Sequence, residues 1–221
     1  MNVELKMHSG ELEYICDLRK ISNTSEKEFE INTIFKIIQA FRPRDVKIQI
    51  DDAFKKIDKL TFNPTISGPN ILLKDCFGRA FSMWFKPVFY IPLQNTANPF
   101  VVDLIIFRDL NKSMYAFDIE LQRKLYMYEF LSDAMLKDIS AHLLSLLKTP
   151  LILVSIKKEM NLENLKELVI LKNAIKPKKT IIICESKISD ELRKYIPAEI
   201  KILDDFKNSE KELEMIIREY T

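Results

Sequence analysis

Apolar residues recur along the chain at two spacings, and the switches between them mark out the elements. Residues 3–7 (VELKM) and 11–18 (ELEYICDL) alternate with period two around His8-Ser9-Gly10, which predicts a β-hairpin. Over 25–42 the spacing becomes helical, with Ile31, Ile34, Phe35, Ile38 and Phe41 on one stripe. Ser25 and Glu28 form a capping box at its start, and Pro43 stops it. Residues 45–50 (DVKIQI) return to a strand. Across 51–75 no period stands out, and Asn63-Pro64 and Gly68-Pro69 mark turns. The aromatic stretch 77–94 contains Pro87 and Pro92. Proline cannot donate to a ladder, so this stretch reads as an edge strand or an extended loop.

Two strands are expected next, 100–107 (FVVDLIIF) and 114–122 (MYAFDIELQ), paired antiparallel through the polar turn Arg108–Ser113. A long helix follows over roughly 125–147, then a strand at 151–156 (LILVSI). The remainder alternates: helix 161–175, strand 180–184, helix 189–195, strand 199–203, helix 209–220. Alternating βα units predict a parallel continuation of the sheet covered by helices on both faces. The fold class expected is α/β, a mixed central sheet flanked by helices. Residues 1–221 form a single domain in this reading, with no internal repeat or low-complexity linker.

Composition changes this picture mainly by exclusion. Three glycines in 221 residues leave no phosphate-cradling loop, and neither GxGxxG nor GxxxxGK[ST] occurs, which argues against a Rossmann-like ligand sensor built on the C-terminal βα units. No apolar run approaches the roughly 20 residues of a membrane helix, so no membrane partner is expected. The first residues alternate charge and apolarity, unlike a signal peptide. Cys16, Cys76 and Cys184 lack metal-type spacing, and an odd count points to reduced thiols in an intracellular, cytoplasmic protein. The net charge is only +2, which by itself does not announce nucleic-acid binding.

The chemistry centres on one acid. Asp103 interrupts the apolar run VVDLIIF, and a carboxylate in a buried strand costs several kcal/mol, of order 3–5, unless compensated. A bound cation is one compensation; a nearby Lys or Arg is the other. In the next expected strand Tyr115, Phe117, Ile119 and Leu121 point one way, and Asp118, Glu120 and Gln122 the other. A turn near Leu110-Asn111 would place Asp103 opposite Asp118 with Glu120 diagonal to it, close enough for carboxylates to converge on one ion. Oxygen ligands of this kind suit Mg²⁺ or Mn²⁺. The solvated face of an antiparallel pair is the plainer reading of the same row.

Asp103 in FVVDLIIF, followed by Glu120 and Gln122 in FDIELQ, a helix from Leu125 and the strand LILVSI, resembles the PD-(D/E)XK (restriction-endonuclease-like) nuclease superfamily. WFKPVFY ahead of NPFVVD fits the same succession. The resemblance covers residues 25–156 as a nuclease-like core, with 157–221 as a C-terminal βα extension. It implies a Mg²⁺-dependent endonuclease, a hydrolase cutting phosphodiester bonds of DNA, including structured or branched DNA, as a homodimer. It implies Asp103 and Glu120 as metal ligands and Glu30, on the first helix, as a further one. Val102 stands where the family has proline, and Gln122 where it has lysine. Glutamine orients a water without charge, and Lys124, two residues on, supplies the charge. A catalytically inactive, nuclease-fold DNA-binding or scaffold protein is the alternative.

Other residues read more plainly. His142 falls on the apolar face of its helix and is expected to be packed. Cys184 and Trp84 read as core, with base stacking by Trp84 the alternative. Lys55-Lys56, Lys157-Lys158 and Lys176/Lys178/Lys179 could touch phosphates or simply be solvated.

Overall fold

A computed structural model describes residues 4–8, 11–15, 25–48, 69–93, 96–108, 132–146 and 149–220. Strands β1 (Glu4–His8) and β2 (Glu11–Ile15) form the expected hairpin. Helix α1 (Ser25–Ala40) buries the whole stripe Ile31, Ile34, Phe35, Ile38, and Phe41 just beyond it. Then come β3 (Pro43–Ile48), β4 (Ile71–Asp75), β5 (Ala80–Phe85), β6 (Val88–Leu93), β7 (Thr96–Val101) and β8 (Leu104–Arg108). Helix α2 (Asp133–Leu146) precedes β9 (Ile152–Lys157), α3 (Leu162–Ile175), β10 (Lys179–Cys184), α4 (Asp190–Arg193), β11 (Ile200–Leu203) and α5 (Phe206–Arg218).

The fold is α/β. A seven-stranded mixed sheet has the order β11-β10-β9-β8-β5-β4-β3, antiparallel from β3 to β9 and parallel from β9 to β11. The C-terminal βα units continue the sheet in parallel, as their alternation implies. β6 and β7 form a separate two-stranded ribbon against which α2 packs.

Period two divides the central strands cleanly. Phe81, Met83, Phe85, Leu104, Ile106, Ile152, Val154, Ile181 and Ile183 face one core, closed by α1 and α5. Trp84, Ile105, Phe107, Leu153, Ile182 and Cys184 face the other, closed by Leu165, Leu168 and Leu171 of α3. Strands buried on both faces read as continuous apolar runs, which is why TIIIC and LILVSI contain so little polarity. Among the described residues no helix is long and apolar enough to cross a membrane.

Several expectations are corrected. The stretch 77–94, expected as one edge strand or extended loop, holds two strands in different sheets, and only the second, β6, lies at an edge. β5 lies inside the sheet between β4 and β8 with Trp84 buried, while Pro87 sits past its end and Pro92 lies in the two-stranded ribbon. β4 was hidden in the stretch without a period. His142 is exposed rather than packed, because only Ser140 among its described helix neighbours is buried. The strand expected at 100–107 is two strands with a bend between them, and Asp103 occupies the bend. The expected partner strand 114–122 and the first part of the helix at 125–147 lie outside the described residues. β8 takes its two ladder neighbours from β5 and β9.

Ile106 is fully buried at the centre of β8. Ile106→Ala should lower the unfolding free energy by about 2–5 kcal/mol, read as a fall in the guanidinium midpoint at unchanged slope.

Candidate active site

Asp103 is positioned by the turn that leads out of β5. Lys86, the first residue past that strand, adopts a left-handed backbone (φ 46°), a conformation that costs a non-glycine residue of order 1 kcal/mol. This turn directs the Lys86 N–H onto the Asp103 carbonyl (3.2 Å) and lets Val102 N–H reach the Pro87 carbonyl (3.0 Å). Asp103 is thereby pinned at the head of β8, beside the tail of β9.

Among the described residues its carboxylate is answered from β9. Oδ2 accepts from the Ile156 N–H (2.9 Å), the Ser155 hydroxyl (3.3 Å) and Lys157 Nζ (2.9 Å), and Oδ1 accepts from Lys157 Nζ (3.0 Å). The Asp103 side chain is 11% exposed and that of Lys157 27%, so the pair is only partly screened by water. Of the two compensations open to a carboxylate here, the lysine is present, and it is Lys157. Lys157 is therefore not a merely solvated cation.

A shallow depression, with space of about 20 Å³, opens beside this pair, between the strand ends and α3. Val102, Asp103, Ser155 and Lys157 line one side, Asn164 and Glu167 the other. Asn161 caps α3 by accepting from the Asn164 N–H (2.8 Å), which fixes the first turn over the β9 end. Sequence reading missed Ser155, Lys157, Asn164 and Glu167 as one group. The available signal was Ser155-x-Lys157 at the end of an apolar strand, a polar residue and a cation two apart on one face.

Glu30 goes elsewhere. It pairs with Lys86 Nζ (3.0 Å) on α1, which covers the sheet face carrying Leu104 and Ile106. The Asp103 cleft opens on the opposite face, beside Leu153 and α3. Glu30 and Asp103, expected around one ion, each serve a separate ion pair here, with Lys86 and Lys157 respectively. Extending the β8–β9 register by one step puts Ser155 across from Asp103, the place expected for Asp118. Asp118, Glu120, Gln122 and Lys124 lie outside the described residues.

The donor set bears directly on a divalent cation. Among the described residues no three His, Cys, Asp or Glu side chains gather as ligands. Oδ2 of Asp103 already accepts three bonds, whereas Oδ1 accepts one and retains a lone pair. Asp103 can therefore contribute one ligand oxygen, and the described residues alone do not complete a Mg²⁺ site.

Comparison with family models, curated proteins and solved structures gives no match for this chain.

Burial pushes the Cys184 thiol up, against weaker opposing hydrogen bonds to backbone groups, and its Sγ contacts the Lys158 carbonyl at 3.4 Å. The thiolate is the reactive form, so raising the pKa leaves less of it at neutral pH. Iodoacetamide at pH 7.5 should label exposed Cys76 well before Cys184, as read by peptide mass spectrometry of the native protein. A double-mutant cycle on Asp103→Ala and Lys157→Ala should return a coupling of about 1–3 kcal/mol by denaturant unfolding.

Proposed function

We propose that the chain is a metal-dependent nuclease that hydrolyses phosphodiester bonds of DNA, with Asp103 and Lys157 at its centre. One observation carries the reading: a carboxylate and an ammonium from adjacent strands sit side by side at the mouth of an open cleft. In the superfamily that the sequence resembles, an acid on one strand works with a Glu-x-Lys on the next. On β9, next to Asp103, Ser155-x-Lys157 has that spacing, with serine in the acid's place. Lys157 thus offers the charge that Gln122 lacks.

The serine leaves these two strands one carboxylate short of a metal pair, and Glu120 is the candidate for the second on its sequence pattern alone. Mg²⁺ bound there would polarise the phosphate and acidify a bound water. The chain's own groups do the rest. Lys157 stabilises negative charge building on the phosphate oxygens. Asp103 and the Ser155 hydroxyl hold the ammonium and the phosphate in register. Asn164 and Glu167 bound the far side of the cleft, where a leaving nucleotide would lie.

A second reading is favoured by how much of the Asp103 carboxylate is already engaged. Three donors, one of them the ammonium shared between both oxygens, leave only a lone pair on Oδ1, which suits a nuclease-fold protein that binds DNA without cutting it.

Plasmid and branched DNA incubated with Mg²⁺ or Mn²⁺ separate the two. In the nuclease reading wild type cuts, Asp103→Ala and Glu120→Ala abolish cutting while sparing binding, and Lys157→Ala slows it about 10²–10³-fold. Lys124→Ala, Gln122→Ala and Glu30→Ala should cost far less. Binding without cleavage by wild type under either metal would leave the second reading standing, and full activity of Asp103→Ala would remove the site.

A further inference from the structure

We propose that the end of the sheet opposite Asp103 is a docking rim for single-stranded nucleic acid, which holds phosphates along a row of cations and one base against Phe77. The inference is independent of whether Asp103 supports catalysis.

The rim follows from the register. Lys178 and Lys179 stand at the start of β10, Arg108 at the end of β8, Lys74 near the end of β4, and Arg44 near the start of β3. The ladders place these positions at one end of the sheet, since Lys179 pairs with Ile152, Ile152 with Ile106, Arg108 with Phe81 and Pro43 with Asp75. Five strand-to-strand steps at about 4.8 Å each carry the row across roughly 24 Å. That is the span of several nucleotides of an extended strand. None of these five cations forms an ion pair among the described residues. The acids described nearby are few: Asp45 lies in register with Lys74, Glu199 is taken by Lys172, and Asp75 is buried. At the opposite end of the sheet Lys86, Lys157, Lys158 and Arg193 are each matched to a carboxylate.

The β4–β5 turn adds an aromatic platform. Asp75 is 1% exposed and spends its carboxylate on the turn itself. Oδ1 accepts from the Phe77 N–H (2.9 Å) and the Arg79 N–H (2.8 Å), and Oδ2 accepts from Arg79 Nε (2.6 Å). Gly78, at φ 79°, completes it. The result is a rigid tip that holds Phe77 78% exposed, with the Arg79 guanidinium 4.7 Å from its ring centre on one side. A single exposed apolar ring is ordinary. A ring held out by a buried carboxylate, backed by a guanidinium and set at the end of an unpaired cation row is the arrangement that stacks unpaired bases. The linear spacing favours a linear polyanion over a membrane surface, and the stacking ring favours a single strand over a duplex.

The test is fluorescence anisotropy of the full chain with labelled dT30, in EDTA, across a potassium chloride series. A single strand should give a log–log salt slope of about −3.5, at about −0.7 per phosphate neutralised by the five cations. Arg44→Ala/Arg108→Ala/Lys178→Ala should reduce its magnitude by about 2. Phe77→Ala should weaken binding about tenfold at unchanged slope, with Phe77→Trp restoring it. Lys178→Glu should weaken binding and Lys187→Glu, at the other end of the sheet, should not. Thermal melts of each variant establish that it is folded. No binding by wild type, equal effects of Lys178→Glu and Lys187→Glu, or a preferred duplex insensitive to Phe77→Ala would each overturn the proposal. So would tighter binding to phosphatidylserine vesicles than to dT30, which would assign the rim to a membrane.

Discussion

The middle strands of the large sheet are dry on both faces, and that constraint organises the rest of the molecule. β8, β9 and β10 carry side chains into two separate cores, one under α1 and α5 and one under α3. A charge placed mid-strand would be stranded without water, so charged groups are driven to the strand ends. Asp103 obeys this: it stands at a bend just before β8 begins, where β9 can supply a lysine, a hydroxyl and a backbone N–H together. At one end of the sheet four cations are matched to carboxylates, and at the other five stand without an ion pair among the described residues.

Much of this architecture was legible in the chain. The α1 stripe, the hairpin at the start and the alternating C-terminal units all follow from period alone, because each has one dominant spacing over many residues. Reading failed where tertiary partners overrode local pattern. β5 looked like an edge because Pro87 and Pro92 seemed to interrupt one strand, whereas they fall on two different elements. α5 begins at Phe206, three residues before the expected start, because Phe206 packs into the core beside Phe29.

The site was legible in part. That Asp103 needed a compensating cation was clear from its apolar neighbours. Which cation was not, because the answer lies on a strand some fifty residues away in sequence, and no local period links the two. Glu30 illustrates the converse. Its place at the edge of a helical stripe made it a candidate ligand, yet its carboxylate is taken up by Lys86, a pairing no local period announces.

The junction of β8 with β9 has a consequence for how the chain reaches this state. It welds an antiparallel half to a parallel half, and residues 109–151 intervene between the two strands. Everything from β9 onward pairs with near neighbours in sequence, so that half can assemble through short loops. The weld cannot form until a long loop closes, an entropic cost that grows only logarithmically with length but is met before any contact rewards it. The carboxylate at Asp103 and the lysine at Lys157 are brought together by this same closure, so the cleft exists only once the two halves have joined.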